Sequence, residues 1–377
     1  MQWQKTRLED LYEVHNGLSK PREAFGSGWP FLSYSVVFNN YFLPKTLDSL
    51  VQSTDKEQAS YSIKAGDIFV TRTSETPDEL GMSCVALRDY PHATYNGFCK
   101  RLRPTTDKVY PGYIGYYLRT PEFRSRLVGL GASMITRASL RNEDLLALTI
   151  SLPPLSIQKS IAERLSRYDA LIENNTRRIA ILENKAEQLY KEWFVRRRKM
   201  GNVGGWHKGR LGDICCLKRG RNITSNEMKP GNIPVIAAGL EPSGFHDRAN
   251  VHGISITMSS SGANAGFIGI HYSDIWAADC AYASEHDTPN IYYAYEVLNN
   301  LRPVIDNFKM GAAQPHVYPK HINAIKIEIP PKGSMQQANN RLAKIHHMID
   351  VLQRQNALLA KERDLLLPRL MSGRVKP

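Results

Sequence analysis

The sequence predicts an α+β protein in which two similar α/β domains are joined by a pair of long antiparallel helices. This intramolecular coiled coil would arise from an internal, pseudo-twofold duplication. Two observations predict the fold. Two long stretches lack proline and glycine and carry apolar residues at alternating steps of three and four, the pattern of a coiled-coil helix. Each stretch follows an irregular region that ends in a β-like run and a pair of prolines.

The first long stretch covers residues 157–200 and follows Leu152-Pro153-Pro154-Leu155. One polar residue, Asn175, interrupts its heptad seam. The apolar seam positions are Leu165, Tyr168, Ile172, Ile179, Leu182, Ala186, Leu189 and Trp193. A helix of roughly 40 residues spans roughly 60 Å, and it needs a partner to cover its apolar seam.

The second stretch, residues 335–367, supplies that partner. Ile329-Pro330-Pro331 repeats the first proline pair 177 positions later, and Asn356 interrupts the second seam as Asn175 interrupts the first. The apolar seam positions are Leu342, Ile345, Ile349, Leu352, Leu359 and Leu366. We expect the two asparagines to face one another, because a polar core residue fixes register. We expect Pro368 to stop the helix.

The regions before the two helices look like copies of one domain. Arg210-Leu211-Gly212-Asp213-Ile214 echoes Arg7-Leu8-Glu9-Asp10-Leu11, and the glycine-rich segment 201–205 marks a boundary. The predicted division is a first domain at 1–152, a central long helix at 153–200, a linker at 201–205, a second domain at 206–329, and a C-terminal long helix and tail at 330–377.

Composition points to a polyanionic partner. The 377-residue chain has a net charge of +13 and a pI near 9.4, which favours nucleic acid; a basic but inert surface is the alternative. The five cysteines form no C-x-x-C pair, and neither an apolar leader nor a membrane span is apparent. We therefore expect a protein of the reducing cytoplasm without a disulfide framework or a zinc cluster.

Motifs for catalysis are missing. The sequence contains no G-x-x-x-x-G-K-[ST], no H-E-x-x-H and no Gly-x-Ser-x-Gly. Pro77-Asp78-Glu79 is faintly similar to a nuclease acidic pair, and Gly262-Ala263-Asn264-Ala265-Gly266 could cradle a phosphate, but a turn explains each of them better. We expect no catalytic residue, no metal site and no cofactor on this chain.

Basic and amide side chains lie among Gly, Ser and Thr in both irregular regions. Arg and Lys suit guanine and phosphates, while Asn and Gln suit adenine. The predicted DNA-binding residues are Lys20, Arg22, Arg72, Arg101, Arg103, Arg137 and Arg141 in the first region, and Lys218, Arg219, Arg221, Asn222, Asn264, Gln314, His316 and Lys320 in the second. For any one of them, a solvated surface position is the alternative.

The end of the first long helix carries three aromatic residues, Tyr190, Trp193 and Phe194. They either complete a core between domain and helix or form a docking patch that binds a partner protein. Two basic domains on a rigid spacer can read two segments of one duplex, because sites one turn apart lie about 34–36 Å apart on the same face of DNA.

These features together resemble the specificity subunit of type I restriction-modification systems. The residues that carry the resemblance are Leu152-Pro153-Pro154-Leu155 with Gln158, Ile172-Glu173-Asn174-Asn175 with Leu182-Glu183, Leu189-Tyr190-Lys191-Glu192-Trp193-Phe194, and the ending Leu366-Leu367-Pro368-Arg369-Leu370-Met371-Ser372-Gly373-Arg374-Val375. The duplicated layout covers the whole chain. In one departure, Lys332 replaces leucine after the second proline pair, and Gln336 sits one residue further from that pair than Gln158 sits from the first.

The resemblance implies two target recognition domains, each of which reads one half of a bipartite DNA site. It implies a non-catalytic chain that carries two adenine methyltransferase (modification) subunits, which restriction subunits with translocase and nuclease activity join. S-adenosylmethionine, ATP and magnesium would then be bound by the partner subunits. The rival interpretations are a coiled-coil scaffold without sequence-specific DNA binding, and a nuclease or methyltransferase whose site the sequence does not reveal.

Overall fold

The computed structural model describes residues 3–74, 79–131, 138–201, 204–311 and 315–377. The chain divides into two compact units. The first unit comprises Met1–Ile172 and Ala357–Pro377, and the second comprises Glu173–Asn356. Each unit therefore combines one sheet-containing region with parts of both long helices.

The first unit is built around a four-stranded antiparallel sheet. Its strands are β1 Gln4–Arg7, β2 Tyr12–Asn16, β3 Phe25–Leu32, β4 Leu50–Val51, β5 Ile68–Thr71, β6 Thr73–Ser74, β7 Ser83–Val85, β8 Thr94–Tyr95, β9 Cys99–Pro104, β10 Ala138–Ser139 and β11 Thr149–Leu152. Its shorter helices are α1 Tyr34–Asn39, α2 Asp55–Ser60, α3 Pro111–Tyr117, α4 Pro121–Gly131 and α5 Asn142–Ala147. The main sheet has the order β2-β9-β5-β7, and a second sheet has the order β4-β3-β8 with a parallel β3–β8 pair. Strand β1 pairs with β11, and β6 pairs with β10.

The central long helix is α6, Leu155–Tyr190. One π-helical turn, Lys191–Arg196, and a short α7, Arg197–Lys199, extend it without a break. The predicted stretch of helix is therefore confirmed, with a local change of pitch near its end.

The second unit repeats the sheet orders of the first. Its strands are β12 His207–Arg210, β13 Lys218–Arg219, β14 Ile233–Ile236, β15 Gly244–His246, β16 Ser255–Ser259, β17 Ile268–His271, β18 Trp276–Ala277, β19 Cys280–Ser284 and β20 Lys326–Ile329, and its shorter helices are α8 Ile291–Asn300, α9 Arg302–Asp306 and α10 Pro319–Asn323. The main sheet has the order β13-β19-β16-β17, the second sheet has the order β15-β14-β18, and β12 pairs with β20. In both units the inner strand, β5 or β16, is buried along its whole length. The predicted duplication is confirmed at the level of strand order.

The C-terminal long helix, α11, covers Lys332–Met371 and runs antiparallel to α6 within each unit. In the second unit, Asn356 Nδ2 donates to Thr176 Oγ1 at 3.3 Å, and the Arg341 guanidinium lies over the Trp193 ring. In the first unit, Arg363 forms an ion pair with Asp169 at 2.5 Å. Residues further along α6 therefore contact residues with lower numbers on α11, as expected for antiparallel helices.

Among the described contacts, no hydrogen bond joins Asn175 to Asn356. Asn175 is buried, with 7% of its surface exposed, and the amide of Asn356 bonds to Thr176 instead. Asn356 thus bonds to the residue that follows Asn175 and not to Asn175 itself.

The expectation that Pro368 stops α11 is wrong, because the helix continues through Pro368 to Met371. Proline lacks an N–H, so Pro368 removes one hydrogen bond of this turn, and the helix nevertheless continues for three more residues. The helix ends at Gly373, which has φ +68°, while the Gly373 N–H donates to Leu370 O and the Arg374 N–H donates to Arg369 O. This left-handed glycine closes the helix as a C-terminal cap.

A buried amide ties each long helix to its own globular region. Gln158 accepts from the Tyr110 N–H at 2.8 Å and donates to Lys108 O and Pro153 O. In the second unit, this role falls to Asn339, whose Oδ1 accepts from the Tyr292 and Tyr293 N–H groups at the start of α8. The second-half counterpart of Gln158 is therefore Asn339, and not the exposed Gln336.

Candidate nucleic-acid interface

In the first unit, a basic loop follows the inner strand β5. The Arg72 N–H donates to Phe98 O at 2.8 Å, and the Leu140 N–H donates to Arg72 O at 2.9 Å. The next residue, Arg141, is exposed and precedes α5. These bonds bring the predicted residues Arg72 and Arg141 to one edge of the sheet, where Arg72 is bonded to the backbone of Phe98, a residue that is 60% exposed.

A buried lysine lies behind this loop, and it is not among the residues predicted from the sequence. Lys100 is 5% exposed, and its Nζ donates to the side-chain oxygens of Asn16 and Asn142. Burial and the neighbouring charge of Arg72 lower the pKa of Lys100. Because Asn16 and Asn142 are 84 and 42 residues away along the chain, no local sequence signal could have identified this cluster.

Two of the predicted DNA-binding residues have internal roles, which corrects the prediction for them. Arg101 is 3% exposed and donates to Ser62 O at 2.8 Å. Arg103 forms two bonds to the carboxylate of Asp67, at 2.8 and 2.6 Å, and this carboxylate is fully buried. Both guanidinium groups are already bonded inside the unit, and we exclude them from the candidate interface.

Lys20 and Arg22 lie on the chain that leads to β3. Lys20 is half-buried and forms an ion pair with Glu57 at 2.6 Å. Arg22 is exposed in a short 3₁₀ turn, and Trp29 further along the same segment is 43% exposed. Of the two predicted residues, Arg22 is the one whose side chain is open to solvent.

In the second unit, the loop at the matching place is not basic. The Ser260 N–H donates to Asp279 O at 3.4 Å, and the Val317 N–H donates to Ser260 O at 2.9 Å. The predicted residue His316 is half-buried in this loop, while Lys320 is exposed on α10. The bonding frame is the same as in the first unit, but serine and aspartate stand in place of Arg72 and Phe98.

Three further predicted residues of the second unit are on or near its main sheet. Lys218 forms an ion pair with Asp287 at 2.8 Å, and Arg219 is exposed on the same strand. Asn264 is half-buried, and its carbonyl accepts from the Phe267 N–H at 2.9 Å within the glycine-rich run. That run is a turn, as the alternative interpretation held.

Arg221 and Asn222 line a cleft of about 450 Å³ in the second unit, together with Trp276 and His246. The Arg221 guanidinium lies over the Trp276 ring, 6.0 Å from its centroid. The sequence pattern predicted the arginine and the asparagine but not the tryptophan, which is 55 residues away along the chain. A basic residue held on an aromatic ring suits contacts with nucleic acid.

Arg137 and Gln314, which the sequence analysis predicted to bind DNA, lie outside the described residues. The same holds for Pro77 and Asp78. For these four positions the sequence-based expectation stands as a prediction.

Tyr190 and Phe194 are buried in the core of the second unit, with 7% and 4% of their surface exposed. Their rings contact the ring of Tyr293 on α8, at centroid distances of 5.9 and 4.9 Å. Trp193 is half-buried and lies under the guanidinium of Arg341. This packing favours the core interpretation over a docking patch for Tyr190 and Phe194.

Within the described ranges, no helix is long and apolar enough to span a membrane. The same ranges contain no group of three or more His, Cys, Asp or Glu side chains arranged to hold a metal ion. Four cysteines, Cys84, Cys99, Cys215 and Cys280, are buried, and burial raises the pKa of each thiol to about 12. At neutral pH these thiols are protonated packing groups.

Comparison with known proteins identifies the family. Residues 1–184 and 204–364 match the sequence profile described as "Type I restriction modification DNA specificity domain", once in each half. The chain is 24% identical over 413 residues to the type I restriction enzyme MjaIX specificity subunit of Methanocaldococcus jannaschii, an alignment that covers 99% of this chain and 94% of that protein.

The fold is shared with a solved structure, the type I restriction-modification system S subunit from M. genitalium. The TM-score is 0.58 at 18% sequence identity, over 98% of this chain and 96% of the other. The two matched segments together span most of the chain, in the same two halves that repeat the strand order. The chain therefore belongs to the type I restriction-modification DNA specificity family, and it is a sequence-specific DNA-recognition subunit.

Proposed function

We propose that each unit reads one half of a bipartite DNA site and that the two long helices act as the spacer. The observation that carries this proposal is that both units have the same strand order and the same backbone bonds but carry different side chains at the matching positions. Matched backbone bonds place Arg72 and Phe98 in the first unit where Ser260 and Asp279 lie in the second. Because base edges are read by side chains, two such surfaces would select two different sequences.

We further propose that the chain is not catalytic on its own. It would carry two methyltransferase (modification) subunits, and restriction subunits would join them, with the helices as the docking platform. S-adenosylmethionine, ATP and magnesium would be bound by those partners. The support is the family membership together with the absence of catalytic motifs from the sequence.

A domain exchange tests the bipartite reading. Residues 206–329 would be replaced by the matching region of a relative, and methylated sites would be mapped in a strain that carries the modification subunit. We expect one half of the recognised site to change while the other half and the gap stay the same. The matched control replaces residues 1–152 and should change only the other half. A change in both halves, or in neither, would contradict modular reading.

Salt dependence separates DNA recognition from a scaffold role. Phosphate contacts by basic side chains release counterions, so the affinity for DNA should fall steeply between 50 and 200 mM salt, by about 10³-fold or more if six or more phosphates are contacted. The measurement is a titration of the full chain with a duplex that contains the mapped site and with a scrambled duplex. Weak, salt-insensitive binding with a concentration-dependent dimer would instead identify a scaffold.

A further inference from the structure

The cleft that contains Trp276 in the second unit has the features of a base-reading site. Its walls include Arg221, Asn222, His246 and Trp276, and its volume is about 450 Å³. Lys229 and Arg248 add positive charge at the rim, opposed by Glu227 and Asp247. The cleft is therefore open, weakly basic and floored by an aromatic ring.

The backbone of Arg221 is fixed at both of its polar groups. Its N–H donates to Ala277 O at 2.9 Å, and its carbonyl accepts from Trp276 Nε1 at 2.8 Å. Trp276 is itself fixed on β18, which pairs with β14. The tryptophan thus holds the arginine through its indole N–H, and it carries the guanidinium of the same arginine on its ring.

A histidine also contacts the Trp276 ring. His246 is 6% exposed, and its ring meets the Trp276 ring edge-on, at 90° and 5.0 Å between centroids. Its Nδ1 accepts from the Lys229 N–H at 3.0 Å, and its Nε2 lies 3.3 Å from Asp247 Oδ1. The indole ring therefore contacts an imidazole ring and lies under a guanidinium.

The Arg221 guanidinium is not used in an ion pair with any described residue. The carboxylate of Glu227, which also lines the cleft, is bonded to the N–H and Oγ1 of Thr224 at 2.8 and 2.7 Å. Arg221 is exposed. Stacking on an aromatic ring restrains an arginine at little cost in hydrogen-bonding capacity, because all five N–H donors stay free.

We propose that Arg221, held on Trp276, reads a guanine in the half-site of the second unit. A planar fork of donors matches the O6 and N7 acceptors that only guanine presents together in the major groove. Trp276 is a positioning residue, and Arg221 is the specificity-determining residue. At the matching position of the first unit, the backbone bond runs from Leu18 N–H to Tyr95 O, so a leucine stands there in place of Arg221. This inference rests on the proposed reading of one half-site by each unit.

The test selects DNA duplexes from a randomised pool with the full chain in complex with its modification subunit. Arg221→Ala and Arg221→Lys should both lose discrimination at one base pair of one half-site, by about 5- to 100-fold. Arg221→Lys should keep the overall affinity and the salt dependence, because it keeps the charge. Trp276→Ala should lose part of the same discrimination, and Trp276→Phe, which retains a ring, should lose less.

Arg248→Ala is the matched control, because it removes a second guanidinium from the same cleft. Among the described residues, Arg248 lies over no aromatic ring and makes only an exposed ion-pair contact at 3.8 Å. This variant should weaken binding to all sequences alike. If Arg221→Lys behaves like the original chain and Arg221→Ala lowers the affinity for every sequence equally, Arg221 contacts phosphate and the inference is overturned. Thermal unfolding of each variant separates these outcomes from misfolding. An original complex that selects no sequence would overturn the proposed function itself.

Discussion

The loop after the inner strand carries Arg72 in the first unit and Ser260 in the second, and both residues make the same two backbone bonds. Where the first unit exposes the Phe98 ring, the second has Asp279, whose carboxylate bonds to Ser261. The backbone bonds do not depend on side-chain type, so they keep the frame while the side chains differ. This separation lets one duplicated fold present two surfaces of different charge.

The same contrast extends into the main sheets. In the first unit, the neighbouring strand positions Asp67 and Arg103 hold a buried ion pair. Strand pairing places Ser255 opposite Ser284 at the corresponding position of the second unit. Ser255 Oγ is buried without a hydrogen-bond partner within the described chain. The first unit therefore depends on a charge pair that the second unit does without.

The largest effect should come from the C-terminal ends of the two long helices, because each of these ends packs into the core of one unit. Phe194, in the π-helical turn that extends α6, belongs to the core of the second unit, and Met371 of α11 belongs to the core of the first. Phe194→Ala should destabilise the second unit by about 3–5 kcal/mol. Hydrogen exchange should show faster opening of residues 206–329 than of the first unit.

Met371→Ala is the reciprocal variant and should loosen the first unit instead. If Phe194→Ala left the exchange of both units unchanged and abolished partner binding, the ring would be a docking group after all. Exchange measured unit by unit is needed, since a two-unit chain does not unfold in one step.

The charge pair should produce the next largest effect, confined to the first unit. Arg103→Leu leaves the Asp67 carboxylate buried without its partner and should cost about 3 kcal/mol. The matched control is Arg22→Ala, an exposed position expected to change stability by less than about 0.5 kcal/mol. Chemical denaturation followed by exchange in each unit measures both. Loss of DNA selectivity by Arg103→Leu without loss of stability would restore Arg103 to the interface.

Local patterns in the sequence predicted the elements whose cause is local. The heptad seams and the proline pairs predicted both long helices, because helix periodicity involves residues three and four apart. The internal roles of Arg101 and Arg103 were not predictable, since their partners lie 36–41 residues away along the chain. The ring beneath Arg221 was missed for the same reason, being 55 residues away. Charge alone does not distinguish a solvated arginine from one bonded inside the fold.

The buried amides should have the third largest effect. Gln158→Ala removes the partner of one N–H and two carbonyl groups and should cost about 2 kcal/mol. Asn339→Ala should cost less, because it leaves only the two N–H groups at the start of α8 without their acceptor. Gln336→Ala is the control and should be neutral. If Gln336→Ala destabilised the second unit as much as Asn339→Ala, Gln336 would be the counterpart of Gln158, and the role assigned to Asn339 would be wrong.

The smallest effect concerns pH and the second unit alone. His271 ends β17, its Nε2 lies 2.8 Å from Thr257 Oγ1, and burial lowers its pKa from 6.5 to about 4. The matching strand position of the first unit is Ala86, which is fully buried. In the unfolded chain the imidazole takes up a proton as the pH falls below about 6.5, whereas in the folded unit it stays neutral until about pH 4.

The unfolded state therefore binds more protons between these values, and the stability of the second unit should fall as the pH drops through this window. Because the ring is partly exposed, we expect a loss on the order of 1 kcal/mol between pH 7 and pH 5. His271→Gln keeps a hydrogen-bonding side chain but cannot titrate, so it should flatten this dependence in the second unit and leave the first unit unchanged. The measurement is hydrogen exchange of each unit at the two pH values. An unchanged pH dependence in the variant would show that another group in the second unit takes up the proton.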